Sequence, residues 1–271
     1  MKFKIGFADI FSEKNKKSDT PLRETQHTPR ESVVQVKFPG RYGALAYYND
    51  RFDLRVGDRV YVDGKLEGQC GQVTEVSYAF KIKLSDYKRV IAVADTSVRG
   101  QFFYAGSYLI AFDRDVIPAE KVSAWFRAPV KDGEEYAIGR DDATFRLDDP
   151  KGLKVSPEIA DRGYDYYRKG AVVYLSVDHG RGYAIVEGSR PYELEFEYQN
   201  GEIGNLTCSC FCSYPCKHEV AAMLQLKEIL VKIEKYYAAQ YEATGCFAAI
   251  CRETLFSFAV EGKDSGSVSF H

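Results

Sequence analysis

"LTCSCFCSYPCKHEVAAML", residues 206–224, places four cysteines and one histidine within eleven positions. The chain has 271 residues, seven cysteines and four histidines, so this stretch concentrates its soft metal donors. Cys208-x-Cys210 lies at the end of a β-like run, and Cys216-x-His218 follows Pro215 at the start of a helical pattern. Donors two apart on extended chain point to one side, and two more at a helix start approach from the opposite direction. Zinc takes four such ligands at tetrahedral corners, about 2.0–2.3 Å away. The helix N-terminus also favours the thiolate of Cys216. Cys212 leaves an alternative open: Cys210 and Cys212 form a second Cys-x-Cys pair, in which Cys208 would stay free. Four ligands close the shell, which reads as a structural rather than a catalytic site. Cys70, Cys246 and Cys251 stand alone and read as small core residues.

Outward from the cluster, "HEVAAMLQLKEILVKIEKYYAAQ" has apolar residues at Val220, Met223, Leu224, Leu226, Leu230, Ile233 and Tyr237. That spacing predicts an amphipathic helix of about six turns. Upstream, Ser156 caps a second helix over "SPEIADRGYDYYRKG", with Pro157 in its first turn. Strands follow as "AVVYLSVD", "GYAIVEG" and "YELEFEY", with turns at Gly180-Arg181-Gly182 and Gly188-Ser189. Two more candidate strands flank the turn at residues 262–266.

The front of the chain reads differently. Residues 1–31 form a polar, flexible leader, although "KFKIGF" within it has the character of a docking strand. Residues 32–128 read as a small β-barrel-like domain of short period-two runs: "SVVQVKF", "YGALAYYN", "GDRVYVDG", "GQVTEVSY" and "KRVIAVAD". Asp63-Gly64 is expected to make a tight hairpin turn. A short helix over "AEKVSAWFRAPV" holds Trp125 as a packing anchor. Residues 129–155 read as an acidic linker or extension, and 156–271 as the metal-binding domain. The fold class is therefore α+β.

Formal net charge is −2, but residues 1–128 carry 21 Lys/Arg against 16 Asp/Glu, and residues 129–271 carry 16 against 23. A basic front half hints at a polyanion partner. No secretory signal or apolar run of roughly 18 residues stands out, so the expected location is cytoplasmic, with no membrane partner. In that reducing compartment clustered thiols bind metal rather than pair as disulfides. The chain lacks a G-x-x-x-x-G-K-[ST] phosphate loop and any informative catalytic set, and reads as a non-enzyme.

Cys-x-Cys-x5-Cys-x-His, followed by a helix reading "VAAML", resembles the SWIM zinc finger family. The upstream "RGYDYYRKGAVVYLSV" and "GYAIVEGSRPYELEFEY" are similar to its bacterial version, so the likeness covers residues 156–231. The family's ligands carry over as Cys208, Cys210, Cys216 and His218, implying structural Zn2+. The resemblance also implies DNA or protein binding, since such modules occur beside Swi/Snf-type ATPases and in transposases. Residues 54–76 have a more generic likeness to compact KOW or Tudor-type barrels.

Nucleic acid, with DNA favoured, is the first expected partner. Lys81, Lys83, Lys88 and Arg89, interleaved with Tyr78, Phe80 and Tyr87, would contact it from the β domain. Arg162, Arg168, Lys169, Arg181, Arg190 and Lys217 would do so from the zinc module. The alternative is a protein adaptor that docks on a helicase-type ATPase or another DNA-processing complex. The near-neutral zinc module favours it, with 11 Lys/Arg and 12 Asp/Glu over residues 151–235.

Overall fold

Alternating apolar side chains over short runs, bounded by glycine and aspartate, produce half-buried strands that must find partners. A computed structural model describes residues 4–6, 29–128, 139, 143–212, 215–261 and 267–270. The N-terminal strand β1 (Lys4–Gly6) is followed by β2 (Ser32–Lys37), β3 (Ala44–Asn49), β4 (Arg59–Val62), β5 (Gly71–Ser77) and β6 (Val90–Ala94). Strands β2 to β6 form a five-stranded antiparallel sheet in the order β3-β2-β5-β4-β6. Val34, Val36, Val60, Val62, Val73 and Val90 fill its core together with Phe38 and Tyr47.

The expected barrel does not close. The outer strands meet at one isolated parallel bridge, Tyr48 to Arg89, with the Tyr48 N–H donating to Lys88 O at 2.9 Å. The register shifts by one residue at Thr74 of β5, opposite β2, and at Ile91 of β6, opposite β4, as at a β-bulge. A barrel needs a continuous ladder between its edges, and β6 spends its ladder on β4 alone. Nor do Asp63-Gly64 make a two-residue hairpin. Residues 63–70 join β4 to β5, and Arg59 pairs with Gln72.

The remaining strands are β7 (Gln101–Ala105), β8 (Tyr108–Ala111), β9 (Thr144–Arg146), β10 (Val172–Asp178), β11 (Arg181–Glu187), β12 (Pro191–Gln199), β13 (Glu202–Cys208), β14 (Cys246–Cys251) and β15 (Ser267–Phe270). With β1 they form a ten-stranded sheet in the order β1-β15-β7-β8-β14-β10-β11-β12-β13-β9. Pairing is antiparallel except β1–β15 and β15–β7. The ladder draws on chain before, within and after residues 129–155, because β8 pairs with β14 and β9, at 144–146, pairs with β13. The docking strand in "KFKIGF" is β1, and the rest of the polar leader, residues 7–28, lies outside the described residues. The run "LFSFAV" is helical rather than extended: α-helical residues Arg252–Leu255 lead into a π-helical turn, Phe256–Val260. The turn after it, residues 262–266, lies outside the described residues.

Helices α1 (Ala119–Phe126), α2 (Pro157–Arg168) and α3 (Lys217–Tyr236) cover the large sheet, with the short α4 (Ala238–Thr244) after α3. Ala222, Leu226, Ile229 and Ile233 recur along one side of α3 and pack on Leu175, Val177, Ala184, Leu194 and Phe247. Burying each of the leucine and isoleucine side chains contributes about 1.5–3 kcal/mol. Ser156 Oγ accepts the Ile159 N–H at 3.4 Å and starts α2. Gly163 lets α2 lie against α3, since a Cβ there would meet Val220 Cβ at 2.4 Å. On the opposite sheet face α1 buries Trp125, which stacks on Phe258 at 5.4 Å and donates to Asp95 O at 2.8 Å. Tyr61 of the five-stranded sheet enters the same core and donates to Ala124 O at 3.0 Å. Among the described residues no helix is long and apolar enough to cross a membrane.

Candidate metal centre

The Asn200-Gly201 turn, with φ of 50° and 84°, folds β13 back on β12. Its ladder ends where Leu194 faces Cys208. There Ser209 holds the exit: its N–H donates to Glu193 O and its Oγ accepts the Glu193 N–H, both at 2.9 Å. Cys210 follows on this fixed turn. From the other side, Cys216 is the N-cap of α3 and His218 lies in the first turn. Glu219 Oε2 accepts the Cys216 N–H at 2.7 Å, so the capping glutamate locks the donor-bearing end of the helix.

The ligand atoms of Cys208, Cys210, Cys216 and His218 all lie within 4.8 Å of one another. His218 Nδ1 is 3.6 Å from Cys216 Sγ and 3.8 Å from Cys208 Sγ. Corners of a tetrahedron with metal–sulfur bonds of about 2.3 Å are separated by about 3.8 Å, so the spacing fits one ion. His218 is 3 % exposed, and its Nε2 is buried with no hydrogen-bond partner among the described residues. The ring therefore offers the cluster one atom, Nδ1. Cys212 is exposed and its sulfur lies outside the group.

Proton affinities follow this crowding. A hydrogen bond from the Cys208 thiol, opposed by burial and aided by His218 and the Glu219 N–H, brings the Cys216 thiol down to about 4. Cys208 moves far upward, because its thiol proton is held in the hydrogen bond to the Cys216 thiolate and the group is itself buried. Burial first, then the charge on Cys216, pushes the Glu219 carboxyl up to about 8. A thiolate is thus already favoured at the helix end, as metal binding requires.

Aromatic and basic side chains continue outward from the cluster. Tyr192 stacks on His218 with centroids 4.0 Å apart and planes 19° from parallel, and Tyr166 meets the same ring edge-on at 5.5 Å. The Arg190 guanidinium lies 5.3 Å from the Tyr192 centroid and 5.0 Å from that of Phe211. Lys217 Nζ lies 4.6 Å from the Tyr166 centroid, and Arg168 lies 6.0 Å from that of Tyr164. Phe211 is 94 % exposed and Tyr164 52 %.

Of the basic residues singled out in sequence, Arg190 and Lys217 come together here through Tyr192 and Tyr166, whereas Arg168 meets Tyr164 on α2, with Arg162 and Lys169 exposed on and just after that helix. Arg181 does not join them. It stands at the far end of the β10–β11 hairpin, opposite Glu197, and lines a groove of about 750 Å³ with Asp178, Glu120, Glu195 and Asp115. That acidic lining repels phosphate. The other group is on the five-stranded sheet. Arg89 is ion-paired with Asp50 and lies over Tyr48, and the Lys88 stem rests against Gly64. Lys81 and Lys83 are exposed between β5 and β6. The aromatic set Tyr164, Tyr166, Tyr192 and Phe211 was not singled out in the sequence. A signal for it is the phenylalanine between two cysteines, Phe211, which is left exposed.

Residues 194–227 match the family model of the SWIM zinc finger. This is the segment that runs from β12 through the donor cluster into α3. No curated protein and no solved structure matches the chain.

Proposed function

We propose that this protein is a non-enzymatic, cytoplasmic nucleic-acid-binding protein, DNA favoured, whose binding surface is built on one structural Zn2+ site. The observation that carries the reading is the basic and aromatic shell of Arg190, Lys217, Tyr166, Tyr192 and Phe211 around the donor set. Cys208, Cys210, Cys216 and His218 would hold the ion, and three sulfurs with one imidazole suit zinc. When bound, it cross-links the end of β13 to the start of α3. The chain's own residues do the rest. Tyr192 and Tyr166 fix the His218 ring, Glu219 holds the helix end, and Arg190 and Lys217 present charge to phosphate. Lys81 and Lys83 supply a second, weaker phosphate contact.

Binding of labelled DNA and RNA to the zinc-loaded chain across a salt series tests this reading. Affinity should fall steadily as salt rises, because each neutralised phosphate releases counterions. Absence of binding at low salt would sink it. The acidic groove opposite α3 favours a second reading, a protein adaptor for a helicase-type ATPase that presents a basic segment. Salt-tolerant capture of such an ATPase, with no nucleic-acid binding, would select it.

A further inference from the structure

We infer that the nucleic acid this surface takes is single-stranded, and that Phe211 is the ring on which an unpaired base stacks. The inference rests on the nucleic-acid reading above and adds the substrate class and the contact. It starts from an unbroken series of flat groups: His218, Tyr192, Arg190 and Phe211. His218 and Tyr192 are stacked at 4.0 Å, and one guanidinium serves both Tyr192 and Phe211 at 5.3 and 5.0 Å. The inner end is buried beside the donor cluster, and the outer end, Phe211, is 94 % exposed. A phenyl ring left so far in water does no packing work. Its place is nonetheless held, because Cys210 before it belongs to the cluster and Arg190 also donates to Ser209 O at 3.3 Å. The series therefore ends in a pre-positioned π-face with a cation beneath it, which is how sequence-tolerant base stacking is built.

Within duplex DNA each base is already stacked on both sides, so a base could reach that face only at the cost of unstacking a step, which a single strand does not incur. The helices here are also unsuited to the major groove. The start of α3 is buried at Cys216, His218 and Glu219. The exposed side of α2 carries Glu158, Asp161 and Asp165 among its arginines, and these would meet phosphate with like charge. A single strand needs only a base on Phe211 and neighbouring phosphates on Arg190 and Lys217.

The test uses the full zinc-loaded chain and three labelled probes of equal length: oligothymidylate, an abasic deoxyribose-phosphate strand and a blunt duplex. Oligothymidylate should bind about 10-fold more tightly than the abasic strand, within the range for one stacked base. Phe211→Ala should erase that difference while zinc stoichiometry stays at the wild-type value, and Phe211→Trp should retain it. Equal affinity for thymidylate and abasic strands, or tighter binding to the duplex, would overturn the inference and leave the nucleic-acid reading standing. Failure to bind any probe would remove both.

Discussion

The five-stranded sheet and the metal end of the large sheet use the same residue types to different effect. In the first, valines from β2, β4, β5 and β6 form a core that needs no ligand, and Arg89 is bound to Asp50. In the second, the strand exit and helix start meet through four candidate metal donors, and among the described residues the Arg190 and Lys217 side chains contact aromatic rings and a carbonyl. A cation with a carboxylate partner has its charge neutralised within the fold. One held by rings keeps it for a partner outside. The comparison teaches that basic composition is a poor guide to a phosphate surface until intramolecular partners are known.

The largest expected effect breaks the comparison on stability. Cys216→Ala, or chelation, should release the metal and open the first turns of α3, since site formation and local folding are linked. Hydrogen exchange should then lose protection over residues 206–224 and keep it in β2 and β4. Equal loss in both regions would mean that the two are not independently held.

Leu226→Ala comes next. It removes a fully buried side chain from α3 and should cost about 2–5 kcal/mol in urea unfolding. Gly163→Ala should cost about 1–3 kcal/mol by forcing α2 off Val220. Metal content should survive that change, which separates helix packing from ligation. The smallest effects compare the two surfaces directly. Arg190→Ala should weaken strand binding and flatten the salt slope by about one charge. Arg89→Ala should leave affinity nearly unchanged while costing some stability at the Asp50 contact. The reverse order would place the phosphate surface on the five-stranded sheet.

Much of the architecture was legible because local chemistry carried it. The spacing along α3, the Ser156-Pro157 start of α2 and the period-two runs of the first sheet all gave elements where they stand. The four donors were legible for the same reason: they lie within eleven residues. Pairing at long range was not. Nothing local in "SYLIAF" announces a partner in "CFAAIC", yet β8 pairs with β14. The open edge of the first sheet depends on where β6 pairs, and alternation alone does not encode that. The Arg190–Phe211 contact likewise joins residues that only the β12–β13 hairpin brings together.

On the proposed reading, the donor cluster organises a nucleic-acid surface. The most direct test of that claim is fluorescence anisotropy of a labelled single strand with the full chain, zinc-loaded and then chelated, across a salt series. Binding that weakens with salt and is lost on chelation, then returns when zinc is restored, is the predicted result. Binding indifferent to chelation would contradict the claim.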